Sequence, residues 1–315
     1  TDVRLVRHLS DMPFQELERG SVVTIGAFDG LHHGHEQLLR RVMAESRDRG
    51  VPSVVMSFEP TPKEFFSAAA PPARLMRFRE KFDSLANHGI DIFYCPRFSE
   101  AMRSISADAF IRRILVHGLN ARHIVIGDDF RFARKREGTL DGLVRAGNAL
   151  DYSVERVPSV IVDGIRVSST AIRDALAAGD LARATALLGR PYRMSGRIVR
   201  GRQVGRSLGY ATANVDLRRR QSAVTGIYAV RVHGLPEGPI EGVASVGTRP
   251  TFDLTKPLLE VHLFDFDREI YGEYIHVDFI EHLRDEEKFA SIDDLVAQMK
   301  IDEENARSAL AAHTA

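Results

Sequence analysis

The sequence is poor in the features that mark disulfide-bonded, membrane-spanning or strongly charged proteins. It contains one cysteine in 315 residues, so an intramolecular disulfide is excluded. That residue, Cys95, follows the apolar run Ile92–Tyr94, and we expect it to be a small core side chain. A reducing, cytoplasmic setting is compatible with this cysteine usage.

Charge and hydropathy exclude further classes of protein. Lys and Arg number 43 and Asp and Glu also 43, so no global basic field points to nucleic acid or an anionic membrane. No stretch approaches the ~20 apolar residues needed to span a bilayer, and the N-terminal residues lack the apolar core of a signal peptide. We therefore expect a cytoplasmic protein without a nucleic-acid or membrane partner. The length favours two domains.

The stretch Val22–His35 organises the first half of the chain. A β-branched apolar run ends at Gly26, a Gly- and His-rich turn follows, and helical spacing begins near Gln37. A helix N-terminus presents free backbone N–H groups and attracts phosphate. His32 and His35 are three residues apart, on one face of that helix, and both could donate to one anion. The alternative is that they are ordinary capping or surface residues.

Strands alternate with helices over the first 188 residues. Further strands are predicted at 52–58, 90–95, 123–126 and 152–157, and helices at 79–87, 108–116, 137–150 and 181–188. This order predicts βαβ units in a Rossmann-like parallel sheet. Because ligands bind beyond the carboxyl ends of such strands, the loops 30–35 and 127–132 should face one cleft.

Beyond Pro191 the pattern changes to short alternating strands. They are predicted at 194–199, 211–215, 227–232, 242–246, 258–263 and 275–280, followed by a helix at 292–310. The pattern indicates a small antiparallel β-barrel with a closing helix. We place the boundary at the Gly189 turn, which gives domains 1–188 and 189–315.

Three hydroxyl residues, Ser168, Ser169 and Thr170, open another helix. Ser and Thr are good N-caps, but capping needs only one of them. Arg173 lies one turn further, with a guanidinium suited to phosphate. The segment is therefore a candidate phosphate site.

The region 190–220 carries nine arginines and one acid, Asp216. Such a cluster of basic residues usually forms a solvent-exposed surface, and the alternative is that it binds RNA. Only two rings, Tyr192 and Tyr210, lie there, so an aromatic RNA platform is not supported. The same region holds Gly196, Gly201, Gly205 and Gly209, and glycines allow backbone N–H groups to approach a polyphosphate.

Two later strands carry polar residues on one face. Thr212 and Asn214 alternate to the same side of a strand, where a hydroxyl and an amide oxygen suit a hard cation. Glu260 and His262 similarly face away from Leu259 and its apolar neighbours. The simple alternative for both strands is a polar, solvent-exposed face.

Several motifs together resemble the prokaryotic bifunctional riboflavin kinase/FMN adenylyltransferase (FAD synthetase) family. His32-x-Gly34-His35 is similar to the H-x-G-H signature of nucleotidyltransferases, and the block from Gly26 to His32 to their flavin-specific branch. The other matching blocks, in chain order, are Gly127–Ala133, Val167–Arg173, Gly196–Asn214, Gly247–Phe252 and Leu259–Phe266. Ala133 stands where the family usually has glycine, and Ala211 where it has proline.

The resemblance implies phosphorylation of riboflavin by ATP in the C-terminal domain and adenylyl transfer to FMN, giving FAD, in the N-terminal domain. It implies Mg²⁺ as cofactor, held by Thr212 and Asn214, and ATP, riboflavin and FMN as small-molecule partners. The implied catalytic residues are His32, His35, Arg173 and Glu260. The implied substrate-binding residues are Gly26, Phe28, Asp29, Gly30, Gly34, Asp129, Ser168, Ser169, Thr170, Gly196, Gly201, Gly205, Arg206, Gly209 and Arg249.

Two other functions remain open at this point. The first domain could adenylylate or cytidylylate a different phosphorylated metabolite, which a panel of acceptors would decide. The chain could also be a non-catalytic RNA-binding protein, which predicts steeply salt-dependent RNA affinity. A homo-oligomer is compatible with the sequence.

Overall fold

The computed structural model describes residues 2–201, 210–250 and 255–313, which form two compact units. The first unit contains the chain up to Pro72 and Phe78–Val167, and the second contains Ala73–Arg77 and the chain from Ser168 onward. These units are defined by the contacts between residues, so they do not show where one activity ends along the chain and the other begins. The functional boundary after residue 188 therefore stays a prediction.

The first unit is built on a six-stranded parallel sheet with the order β1-β4-β3-β2-β5-β6. Its strands are β1 (Arg4–Val6), β2 (Ser21–Ile25), β3 (Ser53–Met56), β4 (Ile92–Tyr94), β5 (Ala121–Gly127) and β6 (Ser153–Val157). Every residue of β2 and β3 is buried, as expected of central parallel strands covered on both faces. The predicted parallel sheet is confirmed.

Helices connect these strands. They are α1 (His33–Arg49), α2 (Pro62–Phe66), α3 (Phe78–Asn87), α4 (Glu100–Arg103), α5 (Ala107–Ala109), a π-helix (Phe110–Gly118) and α6 (Leu140–Leu150). Short 3-10 turns occupy Leu9–Asp11 and Arg134–Arg136, and a small hairpin, β7 (Ile161–Val162) and β8 (Ile165–Arg166), ends the unit. Strand β1, helix α2 and the widened π-helical turns were not predicted.

The second unit begins with α7 (Ser169–Ala177) and α8 (Leu181–Leu188) and continues into a closed six-stranded barrel. Its antiparallel strands are β9 (Tyr192–Val199), β10 (Thr212–Asp216), β11 (Gly226–His233), β12 (Ile240–Pro250), β13 (Thr255–Leu263) and β14 (Tyr274–Arg284). Helix α9 (Ile292–Ala312) packs on the barrel through Ala306, Ala309 and Leu310. The predicted barrel and closing helix are confirmed.

The short segment Ala73–Arg77 is hydrogen-bonded into the second unit. The Tyr192 hydroxyl donates to the Leu75 carbonyl at 3.1 Å, and the Arg219 guanidinium to the Arg74 carbonyl at 2.8 Å. Leu75 itself is fully buried. A segment distant in sequence therefore belongs to the core of this unit, which no local pattern could indicate.

Candidate active sites

The turn after β2 has an unusual backbone. Phe28, Gly30 and Leu31 adopt φ values of 50°, 87° and 41°, in the region that favours glycine. Phe28 and Leu31 nevertheless are fully buried, and Asp29 is 6% exposed. A tightly packed turn with positive φ at two large residues is typical of a site whose conformation serves a ligand.

His32 caps helix α1. Its Nδ1 accepts hydrogen bonds from the backbone N–H groups of Gly34 and His35 at 3.1 and 3.3 Å. In a neutral imidazole whose Nδ1 accepts, the proton lies on Nε2. The capping alternative is thus correct for Nδ1, while a hydrogen bond from His32 to a phosphate would have to come from Nε2.

His35, the second histidine of the motif, packs directly on His32. Their rings stack with centroids 3.7 Å apart, and the Phe28 ring lies 5.0 Å from His35. A Cβ on Gly34 would lie 3.1 Å from the His32 ring, and one on Gly26 would lie 3.2 Å from the Phe28 ring. Both glycines therefore leave the space that this group of rings occupies.

Lys81 is a buried residue of this region that the sequence analysis missed. It lies on α3, is 4% exposed, and its Nζ donates to the Ala27 carbonyl at 2.6 Å. The Ser57 hydroxyl donates to the same carbonyl at 3.3 Å. The lysine stands in a run of charged residues, which by itself is typical of a solvated face.

The loop after β5 lies at the same edge of the sheet, because β5 pairs in parallel with β2. Asp129, a predicted binding residue, forms an ion pair with Arg166 at 2.9 Å and is well exposed. Its neighbour Asp128 accepts a hydrogen bond from the Ser159 N–H at 2.6 Å, which holds the pKa of that carboxyl below its usual range. Both loops therefore follow the carboxyl ends of neighbouring parallel strands, and the expectation that they face one cleft stays a prediction.

Ala133, at a position where the family usually has glycine, adopts a backbone conformation that favours glycine. Its φ and ψ are 67° and −177°, a region that is essentially restricted to glycine. Its N-terminal neighbour Phe132 is anchored in the core against Phe110 and Phe130. The alanine therefore strains the backbone of this turn.

The predicted phosphate residues of α7 belong to the second unit. The Ser168 hydroxyl caps the helix by accepting from the Ala171 N–H at 3.1 Å, so capping uses one of the three hydroxyl residues. Thr170 is exposed. The Arg173 Nε donates to the Ala73 carbonyl at 2.6 Å.

The barrel brings the predicted kinase residues together on its outer face. Asn214 of β10 stands directly opposite Glu260 of β13, and Thr212 directly opposite His262. Side chains of such cross-strand pairs lie about 4.5–5.5 Å apart at Cβ. Residues that are 46 positions apart in the sequence, Asn214 and Glu260, thereby form one polar group.

Two glycines of the same region allow close approach. A Cβ on Gly201 would collide with the Asn214 amide, and one on Gly196 would collide with the Asp216 carbonyl of the paired strand. The predicted residues Gly205, Arg206 and Gly209 lie outside the described part of the chain, and so does the side chain of Arg249.

Two groups of side chains carry atoms suited to a metal ion. Thr212 and Asn214 offer oxygens on one face beside the Glu260 carboxylate, and this donor set fits a hard cation such as Mg²⁺. Among residues 2–201, 210–250 and 255–313, Glu45, His123 and Glu155 also gather their ligand atoms within 4.8 Å. Arg41 already forms ion pairs with both of those glutamates, so this second group is a charge network.

Two family models match the chain in succession. A model described as FAD synthetase matches residues 14–171, and one described as riboflavin kinase matches residues 188–310. Each covers one of the candidate sites, the first including His32 and His35 and the second Asn214 and Glu260.

Curated relatives match over almost the whole chain, and each is named bifunctional riboflavin kinase/FMN adenylyltransferase. The Escherichia coli K12 protein is 45% identical over 97% of this chain and 96% of its own length. The Pseudomonas fluorescens protein is 43% identical over 99% of both, and the Haemophilus influenzae protein 42% identical over 92% and 94%.

A solved structure shares the fold over its full length. It is a Streptococcus pneumoniae chain described as a macrolide-efflux protein, 33% identical, with a TM-score of 0.80 over 98% of this chain and 99% of that one. Within the described residues of the present chain, no helix combines the length and apolar character needed to span a bilayer. By both family models and by identity over nearly its full length, the chain belongs to the bifunctional riboflavin kinase/FMN adenylyltransferase family.

Proposed function

We propose that the chain catalyses two consecutive ATP-dependent transfers. The first converts riboflavin and ATP to FMN and ADP, and the second converts FMN and a second ATP to FAD and pyrophosphate. The observation that carries this proposal is the pairing of Asn214 with Glu260 on the barrel, in a chain that also holds the His32–His35 turn. The named relatives support both activities.

In the kinase step, Glu260 would accept the proton of the riboflavin 5′-hydroxyl as its oxygen attacks the γ-phosphorus of ATP. Thr212 and Asn214 would hold Mg²⁺, which when bound neutralises charge on the phosphates. Gly196, Gly201, Gly205 and Gly209 would leave room for the nucleotide, with Arg206 and Arg249 as further ligands. The bond between the γ-phosphorus and the β–γ bridging oxygen breaks, and ADP leaves with its electron pair.

In the adenylyl step, a phosphate oxygen of FMN would attack the α-phosphorus of ATP, and pyrophosphate would leave. No protein nucleophile is required, so the protein contributes position and charge stabilisation. We assign donation to His32 and His35, and nucleotide and flavin binding to Gly26, Phe28, Asp29, Gly30, Gly34 and Asp129. Ser168, Ser169, Thr170 and Arg173 stay predicted phosphate ligands, and Mg²⁺ is part of the same proposal.

The proposed partners are the small molecules alone. In support, Arg193 binds Asp278 at 2.6 Å, Arg218 binds Asp216 at 3.0 Å, and Arg219 is engaged by backbone carbonyls, so these members of the arginine-rich region serve the protein itself. We place the reactions in the cytoplasm, where ATP is available. A homo-oligomer is compatible with the proposal.

The experiment is a time course with the purified protein, Mg-ATP and riboflavin, with flavins separated by chromatography. FMN should appear first and FAD later, and supplied FMN should be converted to FAD without a lag. FMN without FAD would restrict the proposal to the barrel. No flavin product from a folded protein with intact ATP would overturn it.

A further inference from the structure

A second carboxylate, Glu286, lies beside the proposed kinase site. It follows β14 by two residues, and its side chain reaches back to Gly247 of β12. A Cβ on Gly247 would collide with the Glu286 carboxylate oxygens and would lie 2.8 Å from the carboxyl carbon. The carboxylate therefore occupies the place where any other residue at 247 would put its side chain.

Gly247 and Glu260 share the outer face of the barrel. Glu260 stands opposite Ser245, and Gly247 follows Ser245 by two residues, so it returns to the same face. The intervening residue Val246 is fully buried in the barrel interior. The carboxylates of Glu286 and Glu260 are thus neighbours on one surface.

The charges around Glu286 agree with this placement. Burial raises the pKa of its carboxyl, Arg284 lowers it, and the negative charge of Glu260 raises it again. Arg284 is itself held by Asp302 through two hydrogen bonds of 2.8 Å, so its charge is largely balanced there. The Glu286 carboxylate is therefore close enough to Glu260 for the two negative charges to repel, and Arg284 opposes that repulsion only in part.

Neither carboxylate forms a hydrogen bond or ion pair within the part of the chain that the structure describes. Ionised carboxylates are acceptors only and are best matched by donors. Riboflavin supplies such donors, because its ribityl chain carries hydroxyl groups next to the reacting 5′-hydroxyl. Glu286 also remains exposed, as a group that meets a substrate must be.

We propose that Glu286 accepts a hydrogen bond from a second ribityl hydroxyl and thereby holds the 5′-hydroxyl against Glu260. It is a substrate-binding and specificity-determining residue of the kinase site. This inference rests on the proposed function of that site. It assigns the polyol chain of the substrate to a pair of carboxylates, Glu260 for the reacting hydroxyl and Glu286 for a neighbour.

The test pairs protein variants with substrate analogues. We would measure kcat/KM for riboflavin and for its 2′-, 3′- and 4′-deoxyribityl analogues. The native protein should disfavour one analogue by about tenfold or more, as expected when a hydrogen bond to a charged group is lost. Glu286→Ala should lower kcat/KM for riboflavin by a similar factor and should then use that analogue as well as riboflavin.

Two further variants separate binding from packing. Glu287→Ala, at the adjacent exposed position, should keep the native discrimination. Gly247→Ala should reduce it, because the added methyl group displaces the Glu286 carboxylate. Conversion of supplied FMN to FAD should be unchanged in all variants, which reports that they are folded.

The outcomes distinguish this inference from the proposed function. If the native protein does not phosphorylate riboflavin, the proposed function itself fails. If it does, but Glu286→Ala keeps the native discrimination among all three analogues, the inference is overturned. A changed Mg²⁺ requirement with unchanged discrimination would overturn it as well, because Glu286 would then act on the cation.

Discussion

At the scale of single residues, Ala133 has a strained backbone conformation, and replacing it with glycine should relieve that strain. Its φ of 67° and ψ of −177° are accessible to glycine and strained for alanine. Ala133→Gly should therefore raise the free energy of unfolding by about 1–3 kcal/mol. Urea unfolding of both proteins measures it, read from the shift in midpoint at constant slope.

Ala146→Gly is the matched control for that prediction. Ala146 lies inside helix α6, where the same chemical change should destabilise by about 0.5–1 kcal/mol. Opposite signs at the two positions would identify backbone conformation as the cause. A destabilised Ala133→Gly protein would show instead that the alanine methyl group contributes more by packing than its backbone costs.

Single substitutions at the two proposed sites should each remove one activity and spare the other. Loss of one preorganised donor typically costs ~10²–10³ in turnover, so His35→Ala should nearly abolish FAD formation and leave FMN formation intact. Glu260→Gln should stop FMN formation and spare conversion of supplied FMN to FAD. Both rates are followed by chromatography of the flavins.

His33→Ala serves as the control for the first of these variants, because His33 occupies the unspecified position of the His32-x-Gly34-His35 motif, at the start of α1. It should keep both activities. Equal loss of both activities in His35→Ala would indicate misfolding, and kinase activity that survives in Glu260→Gln would show that Glu260 is not the base.

The residues that could be predicted from the sequence are those whose neighbours in the chain explain them. His32 and His35 sit in a short motif at a strand–helix junction, and Thr212 and Asn214 alternate along one strand. Lys81 could not be predicted, because its partner carbonyl at Ala27 comes from 54 residues away and its own surroundings are charged. Proximity between distant segments is a property of the fold and has no local signal.

At the scale of elements, segments with an apolar run or a periodic pattern were predicted, and several short segments without one were not. Helix α8 has the predicted bounds, Leu181–Leu188. Strand β1 has three residues and, unlike β4, lies in no apolar run, so it is defined only by its pairing with β4. The predicted helix at 108–116 is instead a single turn followed by a π-helix, whose Leu119 N–H reaches the Ile114 carbonyl five residues back.

Helix α1 is tied to the sheet by a charge network that no motif indicated. Arg41 donates to Glu155 on β6 at 2.5 and 3.1 Å and to Glu45 at 2.8 Å. The nearly buried ring of His123 on β5 lies 3.1 Å from Glu155. Three elements are therefore linked through one carboxylate.

This network predicts a specific acid sensitivity. The hydrogen bond from Arg41 lowers the pKa of Glu155, burial raises it, and the hydrogen bond with His123 lowers it again, for a net lowering from 4.5. A carboxyl whose pKa is lowered on folding stabilises the protein above its unfolded pKa. That contribution is lost as the pH falls below about 4.5 and through the lowered folded value.

Glu155→Gln tests this. At pH 7 the variant should be less stable than the native protein by on the order of 1 kcal/mol, a figure limited because Arg41 is partly exposed. The difference should shrink as the pH is lowered from 5 to 3, since the native carboxyl becomes neutral too. Urea unfolding at each pH measures it, and a difference that stays constant with pH would contradict the charge-network argument.

At the scale of the whole molecule, the change of architecture along the chain was predictable, but the segments that make up each compact unit were not. The change from alternating strands and helices to short strands alone marks the parallel sheet and the barrel. The assignment of Ala73–Arg77 to the second unit depends on hydrogen bonds from Tyr192, Arg219 and other distant side chains. A domain boundary drawn along the chain cannot represent a unit made of two separated segments.

Two separate sites that share FMN predict complementation between inactive proteins. His35→Ala protein should make FMN from riboflavin but almost no FAD, and Glu260→Gln protein should make FAD only from supplied FMN. A mixture of the two should convert riboflavin to FAD, because FMN released by one is a substrate for the other. The lag before FAD appears should lengthen on dilution, since free FMN must accumulate in solution.

The double variant His35→Ala/Glu260→Gln is the negative control for complementation. Mixed with either single variant, it should not restore FAD formation from riboflavin, because one of the two sites is then defective in every molecule present. If the two single variants each perform their own half-reaction but their mixture makes no FAD, FMN does not leave the molecule that makes it. The native protein would then have to transfer FMN internally, and its FAD should appear with a lag that is independent of protein concentration.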